Sequence, residues 1–391
     1  MQPFFYSWTR QNDAVDFPVE STEHDEFVLN DGRRIYDFIS TSFQSNFGHS
    51  HRVIQSRIAK QLATMPIASP KSTYDLKVSV SKRLNRLINC GEGKIFYTVS
   101  GSESVENALK IARQFTGRKI VLARQKSYHG ASLGALSVTG DWRHEPHMTF
   151  DSGTVRIPDH DEDPDLTETR KIIESTGPEN IAAIILETIS GTNGMSVPPQ
   201  QWFQGIQDIC REMEIMLIMD EVLVGFRRCG TDFAFHDYGL QPDLVCMSKA
   251  ISGGYVPFGA VWTSPAIASY YDDEILCCGL TNYGHPLGLA ALQAVLDLLD
   301  DQPFNQNMKS LERTFDSELR RIEQRADVIE LRVKGLMAAI YFDHPAPTWQ
   351  QGFDAGIHVF GNENFSILAP PYVSTSQRLQ LAVKTYEELL P

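Results

Sequence analysis

Cysteine is sparse, and what there is lacks a metal-site or disulfide pattern. The six cysteines, Cys90, Cys210, Cys229, Cys246, Cys277 and Cys278, show no C-x-x-C spacing. That spacing excludes a zinc ribbon, predicts no metal, and reads as reduced thiols instead of a disulfide framework. Positive charge is also short. A net charge of −14 and a pI near 5.2 leave no basic face for nucleic-acid phosphates, so no nucleic-acid partner is expected. No apolar run approaches the ~18–20 residues that span a bilayer. The opening MQPFFYSWTRQND lacks the basic start and long apolar stretch of a signal peptide. A cytoplasmic protein with no membrane partner is the expectation. There is no internal repeat, no low-complexity tract, and no G-x-S-x-G nucleophile elbow of a hydrolase.

What remains is an ordinary globular composition. With 391 residues, 42% hydrophobic and 21% charged, the chain can bury one large core and a smaller one. Apolar runs at 95–99, 119–123, 181–187, 215–219 and 244–247 read as buried strands. Helical spacing lies between them, from about 103, 131 and 200 onward. This alternation predicts an α/β fold whose mostly parallel sheet is covered by helices on both faces. Helices are also expected over 53–65 and 76–88. Phe27-Val28-Leu29 and Ile35–Phe38, joined by Asn30-Asp31-Gly32, read as a β-hairpin. The polar, proline-containing segment 151–166 reads as a surface loop. After Leu287 come an apolar helix, an amphipathic helix over about 305–325, a strand at 336–342 and a last helix near 376–389. We divide the chain into a large domain over 51–300 and a small α+β domain made of 1–50 with 301–391.

The chemistry-bearing residues collect where the apolar runs stop. One run ends on Asp220 and another on Ser248-Lys249, 29 residues apart in the sequence. In open α/β sheets, sites form at the carboxyl ends of strands, although such a pair taken alone reads first as strand caps in solvent. Gly253, Gly254 and Gly259 after Lys249 allow close backbone approach. A lysine held among apolar strands has a lowered pKa and forms Schiff bases. A carboxylate facing a ring nitrogen keeps that nitrogen protonated. Together these are the protein's two contributions to pyridoxal phosphate (PLP) chemistry. Ser100-Gly101-Ser102 opens a helix after the 95–99 run, which is an anion pocket or simply a capped helix.

The runs DEVLVGFRRCG and SKAISGGYVPFGAV resemble the class III, fold-type I PLP-dependent aminotransferases. Further resemblances follow in the same order along nearly the whole chain. SGSESVENALKIAR is similar to the family's phosphate cup, which implies that Ser100, Gly101 and Ser102 bind the phosphate. Tyr128-His129-Gly130 resembles the aromatic-His-Gly whose aromatic covers one ring face, with Val222 expected on the other. Glu187 stands where the family has a glutamate near ring and substrate, followed here by Thr188 in place of the usual proline. Thr281, five residues before Pro286, resembles the threonine that reaches the neighbouring subunit's phosphate. The resemblance thus implies a homodimer with shared sites. Trp8 and Phe43 are expected at the substrate pocket or, equally, in the small-domain core.

The resemblance implies a transaminase in which Lys249 carries PLP and acts as base and acid while Asp220 holds the pyridinium. Amine or amino acid and keto acid would be the substrates. Aminomutase, racemase or epimerase, and decarboxylase activities share the same cofactor site and form the alternative. Departures from the family pattern bear on the substrate. The arginine that often follows the aromatic-His-Gly is Ala131, and the mobile arginine before the closing Pro370-Pro371 is Phe360. Leu223 follows DEV, as in members acting on ω-amines. Arg143 and Arg227 remain as carboxylate donors, or as ordinary surface charges. An ω-amine donor is therefore expected.

Overall fold

The structure, a computed structural model, describes residues 3–147 and 153–391. Near the N-terminus, β1 (Val19–Glu23), β2 (Glu26–Leu29) and β3 (Arg34–Asp37) form an antiparallel meander. The hairpin expected at 27–38 is its second half. Seven strands then build the central sheet: β4 (Lys94–Thr98), β5 (Ile120–Arg124), β6 (Thr154–Ile157), β7 (Ile181–Glu187), β8 (Met216–Asp220), β9 (Leu244–Met247) and β10 (Gly259–Thr263). Their spatial order is β4-β10-β9-β8-β7-β5-β6. The run from β9 to β6 pairs in parallel, and β10 lies antiparallel between β4 and β9. Every residue of β7, β9 and β10 is buried, as sheet covered on both faces requires.

Two readings of the sequence need correction. Within the segment expected to be a loop, Thr154–Ile157 is an edge strand paired with β5; residues 151 and 152 lie outside the described residues. Only Ile157 of the four is fully buried, so the strand lacks the apolar run that marks the central ones. The tail also holds more strands than the single one expected. Val328–Lys334 (β11), Met337–Phe342 (β12), Ile357–His358 (β13), Phe360–Gly361 (β14) and Phe365–Leu368 (β15) are all present. Four of them make the sheet β11-β12-β15-β14, while β13 joins β3 in parallel through Ile357↔Tyr36 and His358↔Asp37. Two-residue strands are too short to show a period of two.

Arg228 ties the chain's beginning and end to the sheet's carboxyl edge. Its fully buried guanidinium donates to the carbonyls of Leu336 (2.8 Å) and Pro370 (2.9 Å), to Ser40 Oγ (3.0 Å) and to Asn46 Oδ1. It also stacks on Tyr372, 4.8 Å from the ring centre. These contacts bring residues 40–46 against the C-terminal strands. There the backbone turns left-handed for four residues, Ser40 to Phe43, with φ of 45°, 47°, 59° and 68°. L-residues resist this by roughly 1–2 kcal/mol each, so the turn persists only because it is anchored. Ser40 Oγ donates to the Ala369 carbonyl at 2.7 Å, and Thr41 Oγ1 donates to Asp37 Oδ2 at 2.7 Å. Buried Asp37 is fixed in turn by His49 (2.7 Å) and His358 (3.0 Å), which hold its carboxyl well below the usual range against the opposing cost of burial.

Candidate active site

Parallel strands end in register, and here the ends are polar. Glu187 closes β7 directly beside Asp220, which closes β8. Ser248 and Lys249 follow β9, and Ser100 follows β4. The side chains enclose a cavity of about 180 Å³ lined by Ser100, Gly101, Ser102, Tyr128, His129 and Gly130 on one side. Glu187, Ile189, Thr192, Asp220, Val222, Leu223, Ser248 and Lys249 line the other. Nine of the expected cofactor-site residues therefore meet in one place; Thr281 is exposed and outside the cavity.

Lys249 sits at φ 49°, a left-handed conformation that turns the chain out of β9. Burial pushes its amine below the ordinary lysine value, although Asp220 and Glu187 pull the other way. An amine so placed offers its lone pair more readily than a lysine in water does. The Phe43 ring, delivered by the left-handed turn, lies 5.8 Å from Nζ. Asp220 is oriented twice over: Oδ2 receives His129 Nδ1 at 2.7 Å and Oδ1 receives the Val222 N–H at 3.0 Å. His129 Nε2 is buried without a hydrogen-bond partner among the described residues.

The Gly101–Thr116 helix supplies the anion end of the site. Ser100 caps it by accepting the Glu103 N–H at 3.2 Å, and Glu103 reaches back to the Val99 N–H at 3.0 Å. First-turn N–H groups have no intrahelical acceptor, so Gly101 and Ser102 present theirs to the cavity mouth. Glycine is needed at position 101, because a Cβ there would come within 2.8 Å of Val222 Cγ1. At Gly130, φ 136°, a Cβ would fall on Ser102 Oγ, whose acceptance of the Ala131 N–H (3.0 Å) closes the cup. A backbone anion cup, an apolar slot beside Tyr128 and Val222, a fixed carboxylate and a lysine whose pKa burial lowers are what a phosphorylated pyridine aldehyde requires. The residues present fit PLP.

A family model of the class III aminotransferases matches residues 8–390. The omega-aminotransferase of Caulobacter vibrioides is 29% identical over 395 residues, covering 92% of this chain and 90% of that protein. The beta-alanine–pyruvate aminotransferase of Pseudomonas aeruginosa is 31% identical over 366 residues, covering 82% and 81%. Among solved structures, the taurine:2-oxoglutarate aminotransferase of Bifidobacterium kashiwanohense, in complex with PLP and glutamate, superposes with a TM-score of 0.93. It is 29% identical, and the match covers 99% of this chain and 94% of that one. The chain belongs to the class III aminotransferases, with the fold-type I architecture and PLP as its cofactor.

Other expected residues lie around the cavity's rim. Trp8, half exposed, meets the Tyr128 ring edge-on at 6.4 Å. Arg143 stacks over Tyr128 at 4.5 Å and over Trp8 and Trp142 at 5.3 Å each, and its Nη1 is bonded to Asp141. Arg227 is drawn away from the cavity by Asp232 (2.5 Å), the Leu299 carbonyl (2.8 Å) and Asn305 Oδ1 (2.5 Å). Ile189, Thr192 and Ser248 line the site without having been singled out in the sequence. Ser248 had a signal, its place between a strand end and Lys249; the other two sit in an irregular stretch that had none.

Glu221, behind Asp220, is fully buried and accepts the Thr188 hydroxyl and the N–H groups of Ala234 (2.8 Å) and Phe235 (3.0 Å). Burial nevertheless pushes its carboxyl up from 4.5 to about 7. The folded chain thus keeps a proton that the unfolded chain has released. The associated stability is complete below pH 4.5 and is lost as pH rises through about 7. Glu221→Gln cannot titrate, so the stability advantage of wild type over this variant, read from urea unfolding, will shrink as pH rises through that range. An advantage that grows with pH would contradict the buried, proton-holding state.

Proposed function

We propose that the protein transfers an amino group from an ω-amine, or another amine at the end of a chain, to a keto acid, taking pyruvate in preference to 2-oxoglutarate. The observation that carries this is the cavity lining, in which Lys249 is the one lysine and no arginine occurs among the described residues. A second substrate carboxylate gains most from a two-pronged guanidinium. Arg143 is occupied by Asp141 and by three aromatic rings, and Arg227 by Asp232 and Asn305.

When bound, PLP supplies the electron sink for breaking the bond at the amine-bearing carbon. The chain's own residues do the rest. Lys249, whose pKa burial lowers, would hold the cofactor through its aldehyde and serve as base and acid toward the substrate's amine-bearing carbon. Asp220, held by His129 and the Val222 N–H, would keep the ring nitrogen protonated. Ser100, Gly101 and Ser102 would hold the phosphate, and Tyr128 and Val222 would hold the ring. Phe43 and Trp8 shape the substrate side. The protein acts as a homodimer in the cytoplasm, and Thr281 of the partner subunit completes the phosphate site. The exposure of Thr281 outside its own cavity supports that reading. Among the described residues no helix is long and apolar enough to cross a membrane.

Two outcomes are expected. Mixing Lys249→Ala with Thr281→Ala protein, each nearly inactive alone, creates mixed dimers with one intact site and restores measurable turnover; subunit exchange without recovery would count against a shared site. In the second, the pyridoxamine-loaded protein is presented with each keto acid and return of the yellow absorbance is timed. Pyruvate should act at least about tenfold faster, the equivalent of 1.4 kcal/mol in the barrier. A clear preference for 2-oxoglutarate would mean that an arginine reaches the cavity after all.

A further inference from the structure

Arg124, the last residue of β5, is wholly buried behind the cavity, and the chemistry above gives it no task. Its Nη2 donates to the Glu187 carbonyl at 3.5 Å and lies 3.6 Å from Glu187 Oε2. Nη1 lies 3.5 Å from Asp159 Oδ1. Neither Nε nor Nη1 has a hydrogen-bond acceptor among the described residues. A guanidinium does not shed its proton in a protein interior, so its charge must be met by carboxylates.

Two carboxylates face this one cation, and they are not equivalent. Asp159 lies on the far side and accepts the Lys126 N–H at 3.0 Å. Glu187 faces the cavity and accepts only the Tyr128 N–H, at 3.2 Å. The other charged or titratable groups facing Glu187 are Asp220 and His129, already bonded to each other, and Lys249. Ile189, Thr192, Val222, Leu223 and Ser248 also line the cavity. A carboxylate left with spare acceptor capacity in a partly apolar cavity favours a cationic ligand and repels an anionic one.

We infer that Arg124 is a positioning residue that holds Glu187 as a fixed carboxylate, and that Glu187 selects amine donors bearing a second, distal cation, that is, diamines. This rests on the ω-amine reading and narrows it. Burial raises the Glu187 carboxyl, and Arg124 and His129 act against that rise. Without Arg124 the carboxyl rises further, so its charged form persists only to a less acidic limit than in wild type.

The test compares putrescine with butylamine as donors to the PLP-loaded enzyme. Wild type should show a KM for putrescine about tenfold lower, the effect of one charge-assisted hydrogen bond. Glu187→Gln should bring the two KM values together. Arg124→Gln should lose the discrimination at a higher pH than wild type does as the buffer is acidified, whereas Arg124→Lys keeps the wild-type profile. Infrared difference spectra supply a readout apart from turnover: a protonated-carboxyl band that persists to higher pH in Arg124→Gln than in wild type or in Arg124→Lys. Equal KM values in wild type, with both amines turned over, would overturn the inference and leave the ω-amine reading standing. If neither amine reacts while α-amino acids do, the ω-amine reading itself fails. Discrimination lost at every pH in Arg124→Gln would reduce Arg124 to a packing role, and the Glu187→Gln result decides the diamine preference even if that variant does not fold.

Discussion

The site rests on one costly arrangement, a lysine amine carried into a partly enclosed cavity at the end of a buried strand. Charge there is expensive, so Lys249 gives up its proton more readily than a lysine in water. The parallel sheet makes this placement possible. Its strands finish together, so Glu187, Asp220 and Lys249 arrive at one edge from three neighbouring strands. The helix dipole and free N–H groups at Gly101 and Ser102 arrive from a fourth. No loop has to be ordered to bring them together.

The second constraint comes from outside the sheet. Four consecutive left-handed residues press Phe43 toward the lysine, and such a turn does not persist without support. Support comes from Arg228 and from Asp37 with its two histidines, which join the first fifty residues to the C-terminal strands. The sheet's carboxyl edge thus lines the cavity, and a strained, doubly anchored turn brings the Phe43 ring to 5.8 Å from Lys249 Nζ. Strain stored beside the reacting amine, and paid for by buried hydrogen bonds further away, is how rigid pockets are commonly held.

Much of this was legible in the sequence, for a physical reason. An apolar run that stops on a charged or small polar residue marks both a buried strand and the position of its carboxyl end, and Asp220, Glu187 and Lys249 all stand in such positions. The same rule applied to KIVLA-Arg would have singled out Arg124, but a lone arginine after a strand reads first as a surface charge. The edge strand at Thr154–Ile157 was missed because half-exposed strands lose the apolar run. The left-handed turn at Ser40–Phe43 contains no glycine to announce it. The engagement of Arg143 by Asp141 and three rings depends on contacts between segments far apart in sequence, notably with Trp8 and Tyr128, and no periodicity encodes them.

The central claim is that Lys249 is the residue joined to the cofactor. Reduction of the yellow holoenzyme with borohydride, followed by proteolysis and mass spectrometry, tests it directly. The account predicts a single pyridoxyl-phosphate label, on the peptide containing Lys249, and none in Lys249→Ala protein loaded in the same way. A label on any other lysine in the wild-type protein would contradict it.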